Sequence, residues 1–371
     1  MNRLRFALVT LFLVAVLTAA DWAVFRGNPQ QDGVSAEKLP DKLVELWKVT
    51  TGESVEGTAA IVDGVVYVGS LDSHLYALDL KTGAQKWKFK AGPFKTPVGV
   101  HKGKIYAGDM DGNFFCLSAA GKEIWKFATE NEVTSGASFA SLPPAGAEAA
   151  ADLVLFGSGD ESLYCLDSAG KKRWQFKVPG GPVMATPPVV DGRTYASGCD
   201  SKLHFVDPAT GKETAAIDLD GQTAATPALR GDMLYVGTMS NQVLAIDVKK
   251  KELTWSFESE QRKQPFYASA AVTEKLVIAG SRDKRVYAID RLTGKEVWNF
   301  ATEGRIEGSP VIAGNRIYVG STDKNFYVIE LETGKELQRI TLDESVMGSP
   351  ALADGRLVIG TTKGTVYCFG K

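Results

Sequence analysis

Histidine and cysteine are scarce, 3 and 4 among 371 residues, and neither occurs in a ligand spacing. His74, His101 and His204 stand far apart, so no zinc-site pattern is present. No serine lies in the G-x-S-x-G context of a nucleophile elbow. Charge of one sign is also missing. Against 42 Lys and Arg stand 44 Asp and Glu, with no long basic block, and a phosphate backbone needs clustered cations, so nucleic acid is not an expected partner. The apolar stretch from Phe6 to Leu17 is too short for the ~20 residues that cross a bilayer.

That stretch has a different context. Arg3 and Arg5 precede it, and Thr18-Ala19-Ala20 follows immediately before Asp21. Residues 1–20 read as a secretory signal peptide cleaved after Ala20, the competing reading being an uncleaved membrane anchor. No cysteine stands at the cleavage site to accept a lipid. The expected product is periplasmic or extracellular, not lipid-anchored, without a transmembrane segment, and monomeric. Residues 21–45 read as an N-terminal extended segment and 46–371 as one domain with no internal linker.

What the chain has in abundance is self-similarity. Ala77-Leu-Asp79-Leu-Lys-Thr82-Gly83-Ala-Gln-Lys-Trp87 returns as Ala288-Ile-Asp290-Arg-Leu-Thr293-Gly294-Lys-Glu-Val-Trp298. Counted on the last residue of a Gly-Ser-x-Asp-type turn, the copies fall at Asp72, Asp111, Asp160, Asp200, Ser240, Asp283, Asp323 and Lys363, roughly forty residues apart. Each copy holds short runs of β-branched and aromatic residues separated by Gly, Asp and Asn turns too short for a crossover helix. The expected fold is all-β: an eight-bladed β-propeller of four-stranded antiparallel blades. The last copy stops after its third strand, at Lys371, and Leu46-Trp47-Lys48-Val49 has the sequence of the missing fourth. The N-terminal strand should therefore close blade 8 and remove an open edge.

Trp47, Trp87, Trp125, Trp174, Trp255 and Trp298 occupy one slot of the repeat and are expected to dock blade on blade. Ala215 and Gln338 stand in that slot in two copies, where less apolar packing is expected. Cys116, Cys165 and Cys368 share the slot of Ala77, too far apart to pair, and read as buried free thiols. Cys199, in a turn, is the one expected to be accessible.

The string Ala-x-Asp-x-x-Thr-Gly-x-x-x-Trp, with the leader Asp21-Trp22-Ala-Val-Phe25-Arg26-Gly27-Asn28, resembles the pyrroloquinoline-quinone-like (PQQ-like) repeat propellers across residues 46–371. The resemblance implies two branches. In quinone-dependent alcohol dehydrogenases it implies a vicinal cysteine pair, a tryptophan under the quinone, calcium on carboxylate and amide side chains, and an aspartate base. The closest cysteines here, Cys165 and Cys199, are 34 residues apart. The other branch is the non-catalytic, BamB-like group, which implies an exported scaffold for protein or peptide partners in the cell envelope, possible outer-membrane protein assembly, and no cofactor. That reading is preferred; a PQQ-dependent dehydrogenase or small-molecule binder at the channel mouth is the alternative. No catalytic, cofactor or metal residue is assigned.

On one face of the ring, the residues entering each blade read Glu56, Phe94, Ser135, Met184, Ala224, Tyr267, Glu307 and Met347, with Leu71, Met110, Met239 and Arg282 added by the turns. Aromatics, Met and Arg favour interfaces. Glu56, Phe94, Met110, Met184, Tyr267, Arg282, Glu307 and Met347 form the candidate partner-binding face, or alternatively plug the tapering channel. Glu56 and Glu307 could face calcium, yet such sites take six to eight oxygens and no loop supplies them. Residues 141–151, with two prolines and a run of alanine, form an insertion in blade 3 read as a hairpin extension.

Overall fold

The computed structural model describes residues 21–142 and 151–371. The expected signal peptide and residues 143–150 of the insertion lie outside them. In the first repeat Val65–Ser70 and His74–Asp79 are buried almost throughout, whereas Gln85–Lys90 buries only alternate positions. A strand covered on both faces needs apolar side chains everywhere, and a strand at the rim needs them at every second position. Sheets stacked face to face around an axis satisfy both patterns.

Blade 1 is the meander Ala60–Val62, Val65–Ser70, His74–Asp79, Gln85–Lys90, and the same antiparallel order recurs in blades 2 to 7. Blade 8 holds Ala351–Ala353, Arg356–Gly360 and Thr365–Gly370, completed by Val44–Thr50 with Trp47 opposite Cys368. The ring therefore closes as the repeats require. Blade 7 departs from four antiparallel strands. Val34–Ser35 lies parallel to Val311–Ala313 and makes a fifth strand, because the leader runs along the axis-facing edge of that inner strand.

Every outer strand carries a bulge just before the docking slot, as between Gln85 and Trp87 opposite Leu78 and Ala77. A bulge re-aims the side chain that follows. Each tryptophan thereby turns onto the next blade, where its indole N–H donates to a carbonyl: Trp47 to Leu80, Trp87 to Ala119, Trp125 to Ser168, Trp174 to Pro208, Trp255 to Arg291 and Trp298 to Leu331, at 2.9–3.2 Å. Under each ring lies a glycine of that blade's last hairpin. A Cβ at Gly211, which has φ +70°, would stand 2.5 Å from the Trp174 ring. The blades that receive no indole lack this glycine. Blade 5 has Lys251 at positive φ opposite Ala215's blade. At the junction of blades 7 and 8, the Gln338 amide instead donates to Leu43 O and accepts from Leu43 N–H.

Two further devices hold the axis. Inner-strand hydroxyls link successive blades: Gly136 N–H donates to Thr186 Oγ1, Thr186 N–H to Thr226 Oγ1, Thr226 N–H to Ser269 Oγ, Ser269 N–H to Ser309 Oγ, and Ser309 N–H to Ser349 Oγ. Pro97 holds this position in blade 2; it has no N–H, and its neighbour Gly136 has no hydroxyl to receive one. The second device is the leader, which crosses the opposite face as a strap. Trp22 pairs with Ile61 in blade 1, and Ala23 O, Gln30 O, Asp32 O and Gly33 O accept N–H groups from Val100, Leu229, Val272 and Ile312 in blades 2, 5, 6 and 7. Between them a tight turn, Phe25–Gly27, drops Arg26 into the axis, fully buried, with Nη1 and Nη2 donating to Pro310 O and Ala270 O.

Candidate functional site

The inner strands begin at the mouth of the channel, away from the strap, so the residue entering each blade faces the axis there. The cavity they enclose measures about 200 Å³ and reaches down to Phe25 of the strap. Its wall carries Glu56, Lys95, Thr134, Met184, Ala224, Tyr267, Glu307 and Met347, one from each blade, with Arg282 reaching in from a turn. Below them runs the hydroxyl ring. Met184, Tyr267, Arg282, Glu307, Met347 and Glu56 stand where the sequence reading placed them.

Phe94 does not. It is fully buried between blades 1 and 2, against Phe115, and a Cβ on Gly69 would meet its Cβ at 2.5 Å. Lys95, one residue later, takes the axial place, and in blade 3 Thr134, one residue earlier, takes it instead of Ser135. Successive strand residues face opposite ways, so a slip of one exchanges channel for core. Two residues after the mouth position the other copies carry a hydroxyl, but blade 2 has Pro97 and blade 3 has Gly136 there, so the mark of the register is missing in both. A signal was available: the residue just before the mouth position is apolar in Val55, Val133, Val183, Phe266, Ile306 and Val346, and Phe94 fits that series. Met110 is exposed in its turn and outside the cavity wall.

The charges of the mouth are internally matched. Arg282 holds Glu307 through three contacts of 2.9–3.0 Å and lies 4.3 Å over the Tyr267 ring. Lys95 Nζ lies 3.0 Å from Glu56, which also accepts from Ser54. Burial raises the Tyr267 hydroxyl above its ordinary value, with Lys95 and Arg282 opposing, so it stays neutral.

Both mouth carboxylates are engaged by cations, and among the described residues no three His, Cys, Asp or Glu side chains are grouped to hold a metal. All four cysteines are free, three of them buried, and burial pushes Cys165 and Cys368 up to about 12, far from a reactive thiolate.

The sequence reading missed a set of latches beside the mouth. Asp72, Asp160, Asp283 and Asp323 each accept from a tyrosine hydroxyl four residues on, Tyr76, Tyr164, Tyr287 and Tyr327. Each also accepts from the connection arriving from the preceding blade: Gly52, Glu130 and Glu303 N–H, and the Ser259 hydroxyl. In blade 4 His204 replaces tyrosine, bridging Asp200 and Glu213 at 2.7 and 2.8 Å. The recurring Asp-x-x-x-Tyr would have revealed them.

With this geometry in place, comparison with known proteins gives a family and two kinds of relative. The family described as outer membrane protein assembly factor BamB matches residues 44–96 and 159–371. The chain is 30% identical over 109 residues to the outer membrane protein assembly factor BamB of Xanthomonas campestris pv. campestris, covering 25% of this chain and 27% of that one. It is 32% identical over 108 residues to the quinohemoprotein alcohol dehydrogenase of Comamonas testosteroni, covering 25% of this chain and 15% of the enzyme. Both alignments span well under two thirds of the relatives. Among solved structures, a europium-containing methanol dehydrogenase superposes with a TM-score of 0.78 over 95% of this chain and 98% of that one, at 15% identity, a likeness of fold.

Proposed function

The chain belongs to the family described as outer membrane protein assembly factor BamB, within the PQQ-like repeat propellers, and on that premise we propose that it is an exported, non-enzymatic scaffold binding protein or peptide partners in the cell envelope. The observation that carries the reading is the matched charge of the mouth. With Glu56 and Glu307 each satisfied by a cation, no free base remains there, and what faces a visitor is methionine, tyrosine and hydroxyl. Such a lining recognises surface and lacks a group poised for chemistry. Among the described residues no helix is long and apolar enough to cross a membrane. The dehydrogenase relatives favour a second reading, a quinone-dependent enzyme at the same mouth, against which stand the absent cysteine pair and the occupied carboxylates.

The test places a photo-crosslinking residue at Met347 in living cells, with the exposed rim residue Leu337 as control. Discrete protein adducts from the mouth alone support the scaffold, and recovery of barrel-assembly components supports a role in outer-membrane protein assembly. No adduct beyond the rim control overturns the reading.

A further inference from the structure

The strap satisfies the axis-facing edge of the ring unevenly. In blades 1, 2, 5, 6 and 7 one inner-strand residue, Ile61, Val100, Leu229, Val272 or Ile312, donates its N–H to a strap carbonyl and is buried. Phe139 and Val189 hold this position in blades 3 and 4, three residues after Gly136 and Thr186, and pair across the hairpin with Val154 and Thr194 as Ile61 does with Val66. The repeat therefore aims their N–H groups at the axis as well, yet no strap carbonyl reaches them. Both are only half-buried. In blade 8 the equivalent Leu352 is fully buried. The cause is the Phe25–Gly27 turn, which carries the strap straight across the channel from blade 2 to blade 5.

Between that shortcut and blades 2 to 4 lies a mostly apolar groove of about 260 Å³, bordered by Val24, Pro29, Val100, Phe139 and Val189. His101 stacks on Phe139 at 4.5 Å at its edge. Gln31 also lines it. This side chain is fully buried, donates Nε2 to Ser138 Oγ, and leaves Oε1 without a partner among the described residues. The groove thus borders two backbone donors without a strap partner and two buried polar atoms without a partner among the described residues, Gln31 Oε1 and His101 Nε2, flanked by aliphatic side chains. An extended peptide carries carbonyls, N–H groups and small side chains in that alternation, and the strap itself fills the same positions in five other blades.

We infer that the groove over blades 3 and 4 is a docking site for an extended polypeptide segment of a partner, which pairs its backbone with Phe139 and Val189 where the strap does not. The inference rests on the scaffold reading only for the class of occupant, and it lies on the face opposite the mouth.

The full chain, labelled with nitrogen-15 in phenylalanine and valine and with carbon-13 in the methionine methyl groups, is titrated with the capped peptide acetyl-Ala-Val-Ala-Val-amide. The expected result is saturable movement of the Phe139 and Val189 amide signals. Val189→Pro, which removes an N–H outside the ladder and follows Pro188, should bind at least tenfold more weakly. Val189→Trp, which fills the groove while keeping the N–H, should do the same and serves if the proline variant melts early. Millimolar peptide that moves neither amide overturns the inference. So does peptide that moves only the Met184 and Met347 methyl signals, which would place binding at the mouth. Loss of mouth crosslinks with peptide binding intact sinks the mouth reading alone.

Discussion

Phe94 and Lys95 are adjacent, yet one is locked in the core and the other faces the axis. Phe94→Ala should cost about 3–4 kcal/mol in denaturant unfolding, since a fully buried ring leaves a cavity. Lys95→Ala should cost less than about 1 kcal/mol, because a half-exposed ion pair contributes little, while weakening capture at the mouth. The reverse order would restore the original register. Arg26 is a second residue whose role is clear only in three dimensions. Burial lowers its guanidinium to about 9, with Asp32 opposing. It remains a cation at neutral pH held by two carbonyls. Arg26→Ala strands Pro310 O and Ala270 O in the axis and should lower stability by about 3 kcal/mol, read by the same unfolding curves. In sequence Arg26 is one cation in a leader, because nothing local tells that the chain folds across a channel.

At the scale of the element, docking and latching make different predictions. Gly211→Val should destabilise the junction of blades 3 and 4 by about 2–4 kcal/mol, through the Trp174 ring and an unfavourable φ together. Gly231→Val, with nothing within 4 Å, bears only the cost of its φ of +60° and should be clearly milder. The latches report through pH. Burial alone would raise the Asp72 carboxyl, but the Tyr76 hydroxyl, the Gly52 N–H, His74 and Ser70 together hold it below 3.8. Asp323 is likewise held down against its burial by Tyr327 and the Asn325 and Glu303 N–H groups. A depressed carboxyl adds stability that is complete above its unfolded value and lost as pH falls through the folded one. Thermal melts should therefore hold steady down to about pH 5 and fall steeply between about pH 4 and pH 2. In Asp72→Asn/Asp323→Asn the melting temperature should be lower at neutral pH and the acid decline shallower; an unchanged slope would remove the latches from the account.

At the scale of the molecule, ring closure was legible because it is written eight times, and Trp47 had the context of a fourth strand with no first three. The docking indoles were legible for the same reason. The strap was not, since it occurs once and its partners span blades 1 to 7. The mouth was legible in six of its residues and misplaced in two, where proline in blade 2 and glycine in blade 3 replace the hydroxyl that marks the register elsewhere. What the repeats could not convey is that Arg282 and Lys95 come to rest on the two glutamates. That pairing is the basis for proposing the mouth as a contact surface.

The direct measurement is to incubate the purified protein with pyrroloquinoline quinone and calcium, pass it through a desalting column, and record the absorbance spectrum and alcohol-dependent dye reduction. The account predicts a protein fraction free of quinone absorbance and no dye reduced. Quinone retained in a one-to-one ratio, with dye reduced on adding alcohol, would contradict it.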